Sequence, residues 1–524
     1  MNLELYDTTL RDGAQQSGIS LSLKDKLNIT LKLDDLGIQT VEGGYAGSNP
    51  KDDEYFKLIR KENLKNVVVS AFGSTMKPNS NANEDPIVKA MLNAETKTLA
   101  VVGKSSAKQV EKVLETTLDE NLRMIDETIS YLVSKDRRVV FDAEHFFDGF
   151  ISNENYAQKT LEVALSAGAD VVVLCDTNGG MIPEDIKNII QKVNLSGINT
   201  SSLGIHCHND TDTAVACSLI ALEQGVNHVQ GTINGYGERC GNANLVSLIA
   251  NLQIKKNIKI LSKSNLNKLT EISKFVSDTV NRTHNDYAPY VGNKAFTHKG
   301  GMHASAVNKY VDSYQHINPE IVGNKSNITV SELAGRSNII SKLKDLKIYD
   351  KYTNDEIVKL TNLIKERESM GFSYETASAS LEILLKKFKN LVNNPFELIE
   401  YKVFIQNKSK DLSQPLCEAR IKILVKGVEC NATAEGNGPV AALDKALRNS
   451  LVKYYPKLNE VKLTDYKVRV VNESDATESS VRVSIESANK TKTWTTVGAS
   501  PNIIDASWMA LSDSMEWWLS ETND

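Results

Sequence analysis

The feature that most limits the fold is a repeat of short apolar runs, each followed by an amphipathic helical stretch, over roughly the first half of the chain. The runs are Leu3–Leu10, Thr40–Tyr45, Val67–Phe72, Thr98–Val102, Val139–Ala143, Val171–Asp176, Leu203–His208 and His228–Thr232. Some, such as Val171-Val172-Val173-Leu174, show no polar alternation, as expected of strands buried on both faces. The intervening stretches carry helix signals: Ser22–Leu36 stops at Gly37, and Asn155–Ala167 stops at Gly168. Such βα units imply a parallel sheet, either closed as a TIM barrel or open and doubly wound. Polar residues decide between them. Arg11-Asp12, Glu42, Glu144-His145, Asp176-Thr177, His206-x-His208 and Asn242 all fall at or after the C-terminal ends of the runs. That end is the catalytic face of a barrel, and only closure brings the first and last strands together. The expected fold is therefore α/β, a (β/α)8 TIM barrel over residues 1–264.

Residues 265–394 read as a largely helical linker interrupted at Gly300-Gly301-Met302-His303, and Asn393-Asn394-Pro395 reads as a boundary. Beyond it, over 395–524, a weak internal repeat sets in. Cys430–Pro439 leads into an expected helix at Val440–Leu451, and Lys492–Pro501 into one from Asn502 to about Met515. Each copy is strand, Gly-rich turn, proline and amphipathic helix. This is the pattern of a small C-terminal α+β domain suited to dimerisation or effector sensing.

Composition removes several function classes. The net charge is −5 with no Lys/Arg stripe, so nucleic acid is not an expected partner. No apolar run reaches membrane-spanning length, and Met1-Asn2-Leu3-Glu4-Leu5 is not the start of a signal peptide. Cys175, Cys207, Cys217, Cys240, Cys417 and Cys430 show no Cys-x-x-Cys spacing, which fits reduced thiols and a cytoplasmic location.

The chemistry gathers around Gly204-Ile205-His206-Cys207-His208-Asn209-Asp210. In a strand, His206 and His208 share one face while Cys207 takes the other. A His-x-His pair alone is more often structural than metal-binding. With Asp12 expected to end the first strand and Asn242 following the eighth, it becomes a two-nitrogen, two-oxygen set. That set suits a divalent metal ion, Mg2+ or Mn2+ first, with Zn2+ or Co2+ as alternatives. Arg11 beside Asp12 could polarise a 2-oxo acid carbonyl together with the metal, or be a plain buried ion-pair partner. Thr177 offers a hydroxyl to a substrate carboxylate, although a strand-end Thr is commonly a cap. Glu144 could orient substrate or move a proton. Thr297–His303 places two histidines in a Gly turn, either a general base or a solvated loop. Glu238 is a further candidate. Tyr45, Phe72 and Thr98 are either pocket walls or core.

Three segments together carry a family resemblance: Asp7–Gln15 (DTTLRDGAQ), His206–Asp210 (HCHND) and Gly235–Asn242 (GYGERCGN). They resemble the signatures of the 2-isopropylmalate/homocitrate/citramalate synthase family, metal-dependent TIM barrels sharing the Arg-Asp first-strand motif. Residues 395–524 resemble that family's C-terminal regulatory (LeuA-type) domain. The segments Val41–Pro50, Asp142–Gly149 and Asp444–Leu447 are similar to those of its citramalate-forming branch. The resemblance implies a Claisen-type condensation of acetyl-CoA with pyruvate and thioester hydrolysis to (R)-citramalate and CoA, the first step of a threonine-independent isoleucine route. It implies metal ligation by Asp12, His206 and His208 with Asn242 nearby, and substrate binding by Arg11, Thr177, Gln15 and Tyr45. It also implies catalytic roles for Arg11, Glu144, His303 and Tyr314. The last two belong to a linker delivered to the other subunit of a homodimer, and isoleucine is the implied feedback effector. Ser305 departs from the Asp common at that position in the family.

The alternative within the same chemistry is 2-oxoisovalerate as acceptor, a 2-isopropylmalate synthase of leucine synthesis, or 2-oxoglutarate, a homocitrate synthase. A different class is a 3-hydroxy-3-methylglutaryl-CoA-type lyase, against which the domain at 395–524 argues.

Overall fold

The computed structural model describes residues 3–328, 335–406, 416–471 and 479–522. Two compact units divide the chain: residues 1–296 with 317–325, and residues 297–316 with 326–524.

The first unit is the expected closed barrel. Strands β1 (Glu4–Asp7), β2 (Thr40–Tyr45), β3 (Val68–Ser74), β4 (Thr98–Lys104), β5 (Arg138–Glu144), β6 (Val171–Asp176), β7 (Leu203–Cys207) and β8 (His228–Gly231) are hydrogen-bonded in that order. Closure runs through β1 and β8 in parallel, with Glu4 opposite His228 and Tyr6 opposite Gln230. The helix Leu23–Leu36 shows how local chemistry sets a boundary. Ser22 and Asp25 form a reciprocal capping box at its start, and Gly37 ends it in the left-handed region at φ 96°.

Strand alternation sorts the side chains into two layers. Leu5, Val41, Ala71, Leu99, Val139, Phe141, Val172, Leu174 and Ile205 face outward into the core shared with the helices. Tyr6, Phe72, Ala100, Val140, Val171, Val173 and Cys175 fill the barrel interior. Thr98, which the sequence left as wall or core, is buried at the N-terminal end of β4 and does not line the cavity described below.

One expectation needs correcting. β1 stops at Asp7 and does not run to Leu10, so Asp12 lies beyond a turn and not at the strand end. The turn forms because the Asp7 carboxylate accepts bonds from the Thr9 amide (3.0 Å) and hydroxyl (2.7 Å). The Thr9 hydroxyl in turn accepts from the Ile233 amide at 2.9 Å, tying the turn to the segment after β8.

The second unit begins with a short parallel pair, β9 (Thr297–His298) and β10 (Asn327–Ile328). The helix Gly301–Lys309 follows β9, so His303 sits on a helix and not in the Gly turn expected from sequence. Further helices span Arg336–Asp345, Asn354–Ser369 and Ser378–Phe388. Two antiparallel three-stranded sheets come next. They are β11 (Glu397–Gln406), β12 (Leu416–Val425) and β13 (Val428–Gly436), then β14 (Lys462–Val470), β15 (Val481–Ala488) and β16 (Thr493–Ser500). Each sheet is followed by a helix, Pro439–Leu451 and Ile503–Glu521, so the repeat is a doubled βββα unit. The last helix outruns its expected end at Met515 because Trp517 and Trp518 anchor its final turns. Trp494 stacks on Trp518 with ring centroids 5.4 Å apart.

Candidate metal centre and active site

The C-terminal mouth of the barrel encloses a cavity of about 520 Å³. Its lining includes Arg11, Asp12, Gln15, Tyr45, Glu144, Thr177, His206, His208 and Glu238, drawn from the ends of six strands or the loops after them. Asp12, His206 and His208 converge, with one ligand atom from each lying within 4.8 Å of the others. Asp12 Oδ2 is 3.3 Å from His206 Nε2 and 3.8 Å from His208 Nε2.

Local backbone delivers them. His206 is on β7, where the alternation points it inward, and His208 just past the strand forms an antiparallel bridge with Asn242. Asn242 itself lines a second cavity and not this one. Its Nδ2 donates to the Tyr236 carbonyl at 3.1 Å, while its Oδ1 is buried without a hydrogen-bond partner among the described residues. The loop carrying it needs Gly241, at φ 94°, where a Cβ would collide with the Gly235 carbonyl.

Orphaned acceptors mark the centre. Besides Asn242 Oδ1, Asp12 Oδ1 is buried with no hydrogen-bond partner among the described residues. Buried polar atoms left unpaired cost free energy, so such a cluster needs a reason. A carboxylate, two imidazoles and an amide oxygen fit a divalent ion.

Electrostatics agree. Burial opposes ionisation of Asp12, but Arg11 and the two imidazoles outweigh it and hold the carboxyl below its usual range. Burial, reinforced by His206, pushes His208 down to about 4, leaving a neutral imidazole at neutral pH. For His206, burial is overcome by the bond and charge of Asp12, which raise its pKa.

Arg11 is clamped on three sides. Its Nε donates to Glu42 Oε1, its Nη1 lies 3.3 Å from Asp12 Oδ2, and its guanidinium carbon sits 4.0 Å from the Phe72 ring centroid. Glu42 is fully buried and also accepts from the Tyr6 hydroxyl at 2.8 Å. Both ion-pair and cavity roles considered for Arg11 are thus present. Thr177 Oγ1 accepts from the His145 amide at 2.8 Å and still lines the cavity, so its hydroxyl caps the backbone at the edge of the site. Glu144 pairs with Lys104, a cavity residue that the sequence reading missed. Asp142 and Gln230 were missed as well. Gln230 Oε1 is 2.8 Å from His206 Nδ1, and its Nε2 donates to Asp142 Oδ1 at 2.9 Å. The available signal was a Gln on a strand short enough to be wholly buried, and an Asp inside the apolar run of β5.

In the second unit His303 and Tyr314 stack on one another, with ring centroids 4.0 Å apart and planes 20° from parallel. Both are exposed.

A closed βα barrel with a carboxylate–imidazole centre at its C-terminal mouth defines the class: a TIM-barrel enzyme with a candidate divalent-metal site. Three family models match, described as HMGL-like over residues 2–276, homocitrate synthase post-HMGL domain-like over 290–371, and LeuA allosteric (dimerisation) domain over 375–519. The (R)-citramalate synthase of Aquifex aeolicus is 50% identical over 520 residues, covering 99% of this chain and 98% of the relative. That of Geobacter sulfurreducens is 45% identical over 522 residues, covering 100% of this chain and 98% of the relative. The 2-isopropylmalate synthase of Aquifex aeolicus is more distant, at 29% over 518 residues, with 98% and 95% covered. The chain belongs to the (R)-citramalate synthase family.

Proposed function

We infer that this chain condenses acetyl-CoA with pyruvate to give (R)-citramalate and CoA. The observation that carries the reading is the convergence of Asp12, His206 and His208 beside a clamped Arg11 in one cavity, in a chain 50% identical to a citramalate synthase along nearly its whole length. Asp12, His206 and His208 would hold a divalent ion, Mg2+ or Mn2+, with Asn242, bridged to His208 through the backbone, as a further oxygen donor. When bound, the ion supplies Lewis acidity at the 2-oxo acid carbonyl.

The chain's own residues account for the rest. Arg11 spends its Nε on Glu42 and one Nη1 contact on Asp12, which leaves further N–H groups to meet the alkoxide that develops as the carbonyl is attacked. Because Glu42 and Phe72 fix the guanidinium, little reorganisation accompanies that contact. The Thr177 hydroxyl is set at the cavity edge for the pyruvate carboxylate, with Gln15 and Tyr45 walling the acceptor. A base removes a proton from the acetyl methyl, and the enolate carbon attacks the ketone carbon. Glu144, paired with Lys104, serves in orienting substrate or carrying that proton. His303, with Tyr314 stacked on it, is proposed as the base, delivered from the linker of a partner subunit in a homodimer. Water then cleaves the citramalyl-CoA thioester. The LeuA-type domain is proposed to hold the dimer together and to bind isoleucine, the end product this reaction would serve.

The test is thiol release from acetyl-CoA with pyruvate, 2-oxoisovalerate, 2-oxobutyrate and 2-oxoglutarate, with Mg2+ or Mn2+ and with EDTA. EDTA-sensitive release strongest with pyruvate is expected. A preference for 2-oxoisovalerate would keep the chemistry and overturn the substrate, and no release with any acceptor would overturn both.

A further inference from the structure

We propose that Gln230 is a positioning residue of the metal centre, relaying the Asp142 carboxylate to His206 so that His206 Nε2 is the nitrogen offered to the ion. The inference rests on the metal reading above.

The geometry leaves the amide little choice. Gln230 is fully buried on β8, register-paired with His206 on β7 and Tyr6 on β1. Its two polar ends meet different partners: Asp142 Oδ1 at 2.9 Å and His206 Nδ1 at 2.8 Å. A carboxylate only accepts, so the amide nitrogen belongs on Asp142 and the amide oxygen on His206. An oxygen at that distance requires the imidazole proton to be on Nδ1. In the neutral ring, the form that binds a metal, the lone pair is then left on Nε2, the atom 3.3 Å from Asp12 Oδ2 at the centre. A partner on the non-ligating nitrogen is what fixes ring orientation and tautomer in histidine metal sites, and it raises ligand basicity.

The two histidines are unequal in this respect. His208 Nδ1 has no hydrogen-bond partner among the described residues. The relay therefore serves one ligand, and its loss should appear only through that ligand. Asp142 also lines the cavity, so the relay connects the cavity wall to the metal ligand.

The experiment is Mn2+ binding to the full-length protein, read by the free-ion EPR signal, for wild type, Gln230→Met, Gln230→Glu, His206→Ala and His206→Ala/Gln230→Met. Met removes both hydrogen bonds at similar volume, whereas Glu, sharing one proton with Asp142, keeps that contact and an acceptor for His206 Nδ1–H. Wild type should bind one ion per chain. Gln230→Met should weaken binding about 10–100-fold, Gln230→Glu should hold or tighten it, and Gln230→Met should add nothing in the His206→Ala background. A packing role alone would give the same loss in both backgrounds and rank Glu no better than Met, and either result would overturn the relay. If Gln230→Met does not fold, the Glu variant still decides, because weaker binding there contradicts the proposal. Absence of Mn2+ binding by wild type would instead overturn the metal reading itself.

Discussion

Glu42→Gln gives a sharp test of how Arg11 is held. Glu42 is wholly buried and spends both oxygens, one on Arg11 Nε and one on the Tyr6 hydroxyl. Glutamine has the same shape. With its amide oxygen on Arg11 Nε, its amide nitrogen faces Tyr6, whose hydroxyl can rotate to accept. The number of hydrogen bonds survives and the charge does not. A bond to a charged group is worth about 1.5–3 kcal/mol, against about 1 for a neutral one. Removing one partner of a buried ion pair can cost about 3–5 kcal/mol, but Arg11 retains Asp12 at 3.3 Å. The expected destabilisation is then ~2 kcal/mol, or a melting shift of about 3 °C for a unit of roughly 300 residues. Activity should fall by more than stability. A guanidinium released from Glu42 no longer presents its donors at a fixed point, and loss of one such donor costs about 10²–10³ in kcat. Differential scanning fluorimetry and the thiol-release assay on one preparation provide both numbers. A variant as stable and as active as wild type would refute the clamp.

Other outcomes follow from the same structure. Asp12→Ala should abolish both divalent-ion binding in isothermal titration and EDTA-sensitive turnover, since it removes the carboxylate shared by both histidines. His303→Ala should lower kcat by about 10²–10⁴, the usual range for a general base, with pyruvate affinity largely kept; full activity would remove the linker-base proposal. Glu4 should make stability fall in acid. Burial opposes its charge, but Arg138, at 2.9 and 2.7 Å, and His228, at 3.0 Å, hold its pKa below the ordinary 4.5. The unfolded chain therefore binds the proton first, so this contribution is complete above about pH 4.5 and is lost as the pH falls below it. Glu4→Gln should flatten the acid limb of a melting-temperature series by ~1.5–3 kcal/mol. Isoleucine should give measurable heat on titration into the full chain, and none would remove it as effector.

Much of this was legible before the structure because period and position carried it. Eight short runs at βα spacing, some of them without polar alternation, pointed to buried parallel strands, and the bunching of polar residues at their ends supported closure. The candidate ligands Asp12, His206 and His208, which the structure brings together, were visible as residue types at or after the strand ends. What misled was local turn chemistry: Leu10 extends an apolar pattern, but the Asp7 side chain bonds to Thr9 and ends the strand first. The relay through Gln230 and the Lys104–Glu144 pair were not legible for another reason. Both join side chains on different strands, and register between strands is set by closure of the barrel, which no single stretch of sequence encodes. His303 on a helix was missed because Gly300-Gly301 reads as a breaker, whereas Gly300 here serves as the N-cap.

The most direct test of the central claim is to supply acetyl-CoA labelled with 13C in its methyl group, with pyruvate and Mg2+, and follow the label by NMR. The account predicts that the label moves into a methylene flanked by a carboxylate and a quaternary carbon, that of citramalate, with one CoA thiol released per product and neither formed in EDTA. Label appearing only in the methyl of free acetate would mean thioester hydrolysis without carbon–carbon bond formation, and would contradict it.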